Sequence, residues 1–425
     1  MLSEYKIPRG TYDILPDADY KWQYIKENFR KVARNYNFRE IVTPIFEKAE
    51  IFERSIGDTT DIVEKEMYKF SDKKGRNYVL RPEGTAPVVR AFVENHLYYK
   101  NNSSKLFYLG PMFRYDRPQK GRYRQFYQYG VEYFGKNNPY IDAEVISLAY
   151  RFLKNLGLNN IIIELNSIGC PNCNKEYNKA LKTYFKKYKN KLCKNCLRRL
   201  GKNPKRVLDC KVPFCKEIAS NAPSILDYLD KDCKSHFEKV KSFLKELKIP
   251  FKINPKIVRG LDYYNQTAFE ILNNNLGAQN ALLGGGRYNS LVQEFGGNDI
   301  PGFGFAGGME RLILTLEQEN LFPKPKPQPF IFLVVIGAKA KSEGIKLTSQ
   351  IRQKGFSCEF LYQKTSLNAQ MKAANKSNAP FVLILGENEL KSKEIVIKIM
   401  KTGKQNKIPL INLYERLEQY KSDYL

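Results

Sequence analysis

The stretch FRYDRPQKGRYRQFYQ, residues 113–128, decides the fold because it predicts a β-hairpin with a basic tip. Arg114 ends the first strand, and a loop with proline, glycine and several basic residues leads into the second. An arginine at the base of a hairpin can bind a phosphate through two parallel hydrogen bonds. The basic tip can contact a nucleic-acid backbone, or it can simply be a solvated loop. Phe126, among other aromatic residues, offers a ring on which a purine can stack.

Strand-like runs continue on both sides of this hairpin, over residues 77–80, 105–113, 125–134 and 160–165. Because they follow one another with few helices between them, they predict a mostly antiparallel sheet and the α+β class. A helix with one apolar face is predicted over residues 17–36.

FREIVTPI, residues 38–45, also reads as a strand. Pro44 cannot donate a backbone hydrogen bond, so the sequence predicts a sheet edge or a chain crossing there.

Two polar segments are candidates for a binding site. LRPEGTA, residues 80–86, places Glu83 and Thr85 at a sharp turn, where the acid suits a substrate ammonium group or is an exposed turn acid. VRGLDYYNQTAFE, residues 258–270, carries an Arg/Asp/Tyr cluster that can hydrogen-bond a polar heterocycle.

Two glycine-rich segments follow, GGGRY at residues 284–288 and GFGFAGGMER at residues 302–311. We expect glycine-rich turns in this region and a helix over residues 307–319, with Glu310 and Arg311 in its first turns. The phosphate-loop signature Gly-Lys-Ser/Thr is missing, and no parallel βαβ unit surrounds the glycines.

The composition favours a large, basic protein. The chain has 425 residues, 71 Lys+Arg against 44 Asp+Glu and a net charge of +27, which suggests two or three domains and either a nucleic-acid partner or a lysine-rich proteome. The longest apolar run, FIFLVVI at residues 330–336, is too short to span a membrane. The N-terminal residues MLSEYKIPRG show no secretion signal, so we expect a cytoplasmic protein with no membrane association.

Changes in composition predict the domain boundaries. Residues 170–250 are basic, rich in cysteine and mainly helical, and they read as an insertion between two parts of the sheet in a first region that spans residues 1–325. The Pro/Lys linker at residues 322–329 precedes alternating strands and helices, which predict a small α/β domain at residues 326–425.

Cysteine spacing raises the question of a metal. Cys170, Cys173, Cys193 and Cys196 form two Cys-x2-Cys pairs at zinc-ribbon spacing, with Cys210 and Cys215 able to join or substitute. The cluster can be a structural Zn²⁺ site or a group of ordinary buried thiols, and the sequence leaves both interpretations open. Cys233 and Cys358 are expected to be buried thiols.

The two histidines, His96 and His236, have no obvious catalytic partner in the sequence. We expect solvated or hydrogen-bonded surface positions for both.

In this order the segments resemble the histidyl-tRNA synthetase family, within the class II aminoacyl-tRNA synthetases, from RGTYDILP near the start to FVLILGENEL near the end. The resemblance implies a class II catalytic domain built on an antiparallel sheet, with a helical insertion, and a C-terminal α/β anticodon-binding domain. The strand with Pro44 is similar to the first class motif, which in the family builds a homodimer interface.

The resemblance also implies roles for single residues. The catalytic set would be Arg114 on the ATP α-phosphate, Arg311 on the γ-phosphate, and Arg259 beside the reacting carboxylate. Arg122 would add to the ATP site, and Phe126 would stack on adenine. The residues that would hold histidine are Glu83, Thr85, Gln128, Glu132, Tyr263, Tyr264 and Tyr288.

The implied function is histidine–tRNA ligation, with L-histidine, ATP bound to Mg²⁺, and tRNA(His) as substrates. Zinc is not a family requirement. The alternative is an inactive, synthetase-like regulatory subunit of ATP phosphoribosyltransferase. Such subunits typically lack the anticodon-binding domain and have eroded ATP motifs, whereas this chain keeps the C-terminal α/β region and Arg114, Arg259 and Arg311.

Overall fold

A computed structural model describes residues 5–56, 62–99, 103–119, 121–257, 263–273, 275, 280–325, 329–363 and 366–424. The chain divides into two compact units, Met1–Phe322 and Pro323–Leu425. Each unit has its own hydrophobic core.

The strands of the first unit are β1 (Arg39–Glu40), β2 (Phe46–Lys48), β3 (Lys69–Ser71), β4 (Asn77–Leu80), β5 (Ser104–Phe113), β6 (Gln125–Phe134), β7 (Ile161–Ser167), β8 (Phe251–Ile253), β9 (Asn265–Asn273), β10 (Ala281–Arg287) and β11 (Gly302–Gly308). Its helices are α1 (Pro16–Asn35), α2 (Ala49–Ile56), α3 (Thr85–Glu94), α4 (Pro139–Asn155), α5 (Pro171–Lys186), α6 (Lys194–Lys202), α7 (Pro213–Ser220), α8 (Lys231–Glu246), α9 (Leu291–Glu294) and α10 (Met309–Gln318).

The main sheet has the strand order β1-β5-β6-β11-β10-β9-β7-β8. Pairing is antiparallel throughout its centre and parallel only at the two edges, between β1 and β5 and between β7 and β8. The predicted hairpin is its longest ladder, with Ser104 opposite Phe134 and Phe113 opposite Gln125. The expected α+β architecture with a mostly antiparallel sheet is therefore confirmed.

One face of the sheet is covered by helices α1, α4, α8 and α10, whose apolar residues join those of the central strands in the main core. The other face carries a smaller core that includes residues of α3 and α9. Because side chains alternate along a strand, each central strand contributes to both faces. The second face is the one that holds the candidate site.

Two predictions for local structure were wrong. Only Arg39–Glu40 of residues 38–45 forms a strand, at the sheet edge, because the carbonyls of Thr43 and Pro44 bind the guanidinium of buried Arg81 rather than a neighbouring strand. The glycines of GGGRY form part of the central strand β10, not a turn. A side chain on Gly286 would stand 2.6 Å from the Thr267 carbonyl, so the glycines allow close strand packing.

His236 is buried, which contradicts its expected surface position, whereas His96 is exposed. The His236 ring lies 2.8 Å from the carboxylate of Asp142 on α4. The same carboxylate binds the fully buried guanidinium of Arg287, at the end of β10. This buried triad connects α4, α8 and the central sheet.

The insertion between β7 and β8 contains helices α5 to α8 and has a small core of its own around Tyr177, Leu181 and Phe185. Its helical character agrees with the sequence prediction.

The second unit is a five-stranded mixed sheet with helices. Its elements are β12 (Ile331–Ile336), α11 (Ala338–Gln353), β13 (Cys358–Phe360), α12 (Leu367–Lys376), β14 (Phe381–Gly386), α13 (Glu387–Ser392), β15 (Glu394–Ile399), β16 (Gln405–Pro409) and α14 (Leu413–Tyr424). The strand order is β13-β12-β14-β15-β16, parallel for the first three and antiparallel for the rest. Cys358 is buried in this unit, as expected. Among the described helices of both units, none is both long and apolar enough to cross a membrane.

Candidate active site

Strand β6 positions the centre of the site. Phe126, Gln128 and Glu132 are separated by even numbers of residues, so the alternation of a strand places them on one face of the sheet. Gly130 lies between them, and the ring of Tyr108 on β5 fills the space that a side chain there would take. This face carries two neighbouring groups of side chains: the first pocket, which is a cluster of acidic and aromatic residues around Glu132, and the second pocket, which is a cavity lined by arginines.

Glu132 forms the floor of the first pocket and is fully buried. One carboxylate oxygen accepts a hydrogen bond from the Thr85 hydroxyl at 2.7 Å, and the other accepts one from the Tyr288 hydroxyl. Burial raises the pKa of Glu132 to about 8, because the charged form loses its hydration. The group is therefore largely protonated at neutral pH until a cation approaches.

Glu83 provides a second acid in the same pocket. Its two oxygens accept hydrogen bonds from the backbone amides of Thr85 and Ala86, both at 2.7 Å, at the first turn of α3. The helix N-terminus favours a negative charge there. Burial nevertheless raises the pKa of Glu83 above its usual value. Two buried acids that both contact Thr85 suit a ligand that brings a positive charge.

Three tyrosines close this pocket. The ring centroids of Tyr263 and Tyr264 are 4.6 Å apart, and that of Tyr288 lies 5.7 Å from the first and 6.3 Å from the second. Tyr263 and Tyr288 are buried. An aromatic wall beside two acids can accommodate a flat polar ring that is attached to an ammonium group.

Gly304 on β11 makes room for Glu132. A side chain at this position would collide with the Glu132 carboxylate, which lies opposite it in the antiparallel ladder. Gly304 of GFGFAGGMER is thus required because the Glu132 carboxylate occupies the space that a side chain would need.

The second pocket has a volume of about 250 Å³ and is lined by Arg114, Arg122, Phe126, Gln128 and Arg311 together with Gly121, Tyr123 and Glu310. Nε of Arg114 donates to the Pro82 carbonyl at 2.8 Å, and its guanidinium lies 5.2 Å from the centre of the Phe126 ring. Nη1 of Arg311 donates to the Ala281 carbonyl at 2.7 Å. These bonds orient two arginines towards one cavity.

The charges of these arginines act on one another. Burial lowers the pKa of Arg114 and of Arg311, and the positive charge of Arg122 lowers both further. Arg122 is in turn held by Asp116, 3.0 Å away. A cavity with converging guanidinium groups and an aromatic ring suits a nucleotide phosphate chain and its base.

Oε1 of Gln128 is buried and accepts no hydrogen bond from the described residues. This oxygen lies where the arginine pocket meets the strand face that carries Glu132. A ligand in this cavity can supply the donor that the oxygen lacks among the described residues.

The structure thus brings together all the described residues that the sequence proposed for the site. Glu83, Thr85, Glu132 and the three tyrosines surround the first pocket, and Arg114, Arg122, Phe126, Gln128 and Arg311 surround the second. Arg259, with Asp262, lies outside the described residues.

Sequence reasoning gave no role to Glu310 and Tyr12. Oε1 of Glu310 accepts hydrogen bonds from the Tyr12 hydroxyl at 2.5 Å and from the Tyr127 amide at 2.7 Å, and burial raises the pKa of Glu310 to about 7. Both residues nevertheless lie in motifs that carry the family resemblance, Tyr12 in RGTYDILP and Glu310 in GFGFAGGMER. What the sequence lacked was the contact between two segments almost three hundred positions apart.

The cysteines do not form the single group that their spacing suggested. Cys193 and Cys196 meet Cys210 and Cys215, whereas Cys170 and Cys173 meet Asp230 and Cys233. Each Cys-x2-Cys pair therefore contacts residues that lie later in the chain instead of contacting the other pair. Cys233 is a buried thiol, as expected, and it lies beside Cys170, Cys173 and Asp230.

Comparison with known proteins agrees with this geometry. Residues 10–312 match the family model described as histidyl-tRNA synthetase, and residues 330–420 match the one described as anticodon binding domain.

Curated relatives extend the similarity to nearly the whole chain. A histidine–tRNA ligase of Halothermothrix orenii is 50% identical over 414 residues, covering 97% of this chain and 99% of the relative. One of Clostridioides difficile is 49% identical over 415 residues, with the same coverage of 97% and 99%. The crystal structure of apo S. aureus histidyl-tRNA synthetase superposes with a TM-score of 0.83 at 38% identity, covering 97% of this chain and 99% of that one. The chain therefore belongs to the histidyl-tRNA synthetase family of aminoacyl-tRNA ligases.

Proposed function

We propose that this chain activates L-histidine with ATP and transfers it to the 3′ end of tRNA(His). The observation that carries the proposal is that one face of β6 carries Glu132, within a cluster of acidic and aromatic side chains, next to Gln128 and Phe126 of the arginine-lined cavity. A bound amino acid has an ammonium group at one end and a carboxylate at the other. The two pockets match these two ends, and the second also suits ATP.

In the first step, Glu83 and Glu132 bind the histidine ammonium group with Thr85 and Gln128, and the tyrosine wall receives the imidazole ring. The histidine carboxylate attacks the α-phosphate of ATP, forming histidyl-adenylate and releasing pyrophosphate. Arg114 binds the α-phosphate and Arg311 the γ-phosphate, while Phe126 stacks on adenine and Arg122 adds positive charge. These groups stabilise the charge that develops in the transition state.

Arg259 completes the proposed catalytic set beside the reacting carboxylate, although it lies outside the described residues. Mg²⁺ would enter with ATP as part of the substrate complex and would neutralise part of the phosphate charge. No protein nucleophile is needed, because the substrate carboxylate is the nucleophile.

In the second step, a ribose hydroxyl at the 3′ end of the tRNA attacks the activated carbonyl. We assign both steps to residues 1–325 and anticodon recognition to residues 326–425. A cleft of about 460 Å³ leads from Arg114 and Arg122 to Arg199, Arg206 and Lys211 of the insertion. This basic path suits the phosphates of a tRNA acceptor arm. The proposed compartment is the cytoplasm.

The decisive experiment is histidine-dependent exchange between ATP and pyrophosphate. We expect exchange with histidine alone among the amino acids. Arg311→Ala should lower kcat/KM for ATP by about 10²–10³, the effect of losing one charge-stabilising group. The control is Arg30→Ala, which removes only an ion pair with Glu40 at the surface.

A regulatory subunit without catalysis would show no exchange, so this assay separates the two functions. Exchange supported by another amino acid, with none for histidine, would show that the assigned specificity is wrong.

We also propose a homodimer. Beside Pro44 the chain exposes Val42, whose residue is 80% accessible, and Phe46, which packs against Phe70 and Tyr78 in an exposed aromatic cluster. Exposed apolar groups of this kind mark interaction surfaces. Sedimentation velocity should show a dimer that Phe46→Asp converts to monomer, and a monomeric unaltered chain would refute the assignment.

A further inference from the structure

The insertion brings four cysteines from three separate segments to one point. Cys193 precedes α6, Cys196 lies in its first turn, Cys210 lies in the following loop and Cys215 lies in α7. Their four sulfur atoms all lie within 4.8 Å of one another. Three of these residues are buried, and Cys193 is half-buried.

The sulfur separations fit a tetrahedral ion. With Zn–S bonds of about 2.3 Å, sulfur atoms in a tetrahedron are about 3.8 Å apart. The Cys193 and Cys210 sulfurs are separated by 3.9 Å, too far for a disulfide. The Cys193 amide donates to the Cys215 sulfur at 3.3 Å, an arrangement that stabilises a thiolate ligand.

The other cysteine group has an explanation without metal. The Asp230 carboxylate caps helix α8 by accepting from the Cys233 amide at 2.8 Å, and it accepts a hydrogen bond from the Cys170 thiol at 2.9 Å. No described acid takes part in the four-thiol group. Hydrogen bonds to Asp230 therefore account for the Cys170 group, whereas no described acid accounts for the four-thiol group.

We propose that Cys193, Cys196, Cys210 and Cys215 bind one structural Zn²⁺ ion. The ion joins α6, the following loop and α7; the two helices have nine and eight residues and contribute to one small core. Cys193 and Cys210 also line the cleft that contains Arg114 and Arg122. The metal therefore fixes the wall of the insertion that faces the active site.

The test compares the zinc content of the whole chain with that of two cysteine variants, Cys196→Ser and Cys173→Ser. All are purified with reductant, without oxygen, from zinc-supplemented cells. Cys196→Ser should contain one zinc ion per chain fewer than the unaltered protein. Cys173→Ser, which removes a buried thiol of the other group, should keep that ion. Equal zinc contents in the unaltered chain and Cys196→Ser would overturn the proposal.

A second measurement does not depend on the variants being stably folded. The unaltered chain loaded with Co²⁺ should absorb in the visible range with the bands of a tetrahedral site and show strong sulfur-to-cobalt charge transfer. Titration of its thiols with a mercurial should release the metal in step with four thiols. Absence of these bands, or an intact mass that lacks the hydrogens of two thiols because a disulfide has formed in this group, would refute the site.

Discussion

At the scale of single residues, Glu132 combines a raised pKa with the substrate-binding role that we propose for it. Its pKa of about 8 means that the folded chain holds this proton more tightly than the unfolded chain. Glu132 therefore favours folding at low pH, and this contribution is lost as the pH rises through about 8. A bound ammonium group reverses the preference, because it stabilises the carboxylate.

We predict that histidine binding releases a proton from Glu132. Affinity should rise with pH between about 6 and 8, by up to about tenfold per pH unit, since the ionised acid is the binding form. Calorimetry in buffers of different ionisation enthalpy measures the proton number. Glu132→Gln should lose the release, whereas Glu310→Gln should retain it, and an identical proton number in all three proteins would contradict the assignment.

Gly304 should be intolerant of even a methyl group. Gly304→Ala places a Cβ against both the Glu132 carboxylate and the Val131 backbone carbonyl, so the acid and the strand must shift, and we expect the KM for histidine to rise by at least about tenfold, equivalent to roughly 1.4 kcal/mol of binding. The control is Gly201→Ala, where a Cβ meets open space. Steady-state exchange kinetics measure both. Equal KM values would mean that Glu132 does not depend on this glycine.

At the scale of elements, the buried triad of Asp142, Arg287 and His236 holds α4 and α8 against the sheet. Although burial disfavours its charged form, the positive charge of Arg287 lowers the pKa of Asp142 below the usual range. The ion pair thus stabilises the fold above the ordinary pKa of an aspartate, and this stability is lost as the pH falls through the depressed value.

Asp142→Asn should destabilise the chain by about 3–5 kcal/mol, because it leaves the Arg287 charge buried without a partner. Urea unfolding at neutral pH measures the effect, and the difference from the unaltered chain should shrink in acid. Glu176→Gln removes an exposed ion pair with Lys179 and should cause no measurable change. Equal stabilities of Asp142→Asn and the unaltered chain would exclude a stabilising ion pair.

Elements with strong local patterns were predictable from sequence. The hairpin of β5 and β6 and helix α1 occur close to where alternation and helical spacing place them. Strand β10 was not predictable, because its glycines have turn propensity and only neighbouring strands in the sheet explain them. The cysteine groups and the Glu310–Tyr12 contact likewise depend on contacts between distant segments, which spacing does not specify.

At the scale of the whole molecule, activation and tRNA recognition are assigned to units with separate cores. A chain that ends at Phe322 should therefore keep histidine-dependent exchange within a few-fold. Its kcat/KM for tRNA charging should fall at least about tenfold, or roughly 1.4 kcal/mol of lost binding. Exchange and charging assays on one preparation measure both. Parallel loss of the two activities would show that the first unit does not function alone.

The resemblance in sequence could identify the whole molecule because its motifs lie in both units, and the matches to residues 10–312 and 330–420 agree. The physical features alone, a net charge of +27 and an antiparallel sheet, are compatible with many nucleic-acid-binding proteins. The specificity for histidine that we propose is assigned to a few side chains around one buried acid, and composition cannot reveal such a group.

The buried triad also restricts how this sequence can change over evolutionary time. Losing Asp142 alone leaves the Arg287 charge buried without an anionic partner, and losing Arg287 alone leaves the Asp142 carboxylate with the His236 ring but without its ion pair, so either first step is expected to weaken the fold. Joint replacement by apolar residues of similar volume can be tolerated, because no charge is then left behind. Descendants of this chain are therefore expected to keep both Asp142 and Arg287 or to lack both. His236 is expected to be kept where that pair is kept, because its ring contacts Asp142.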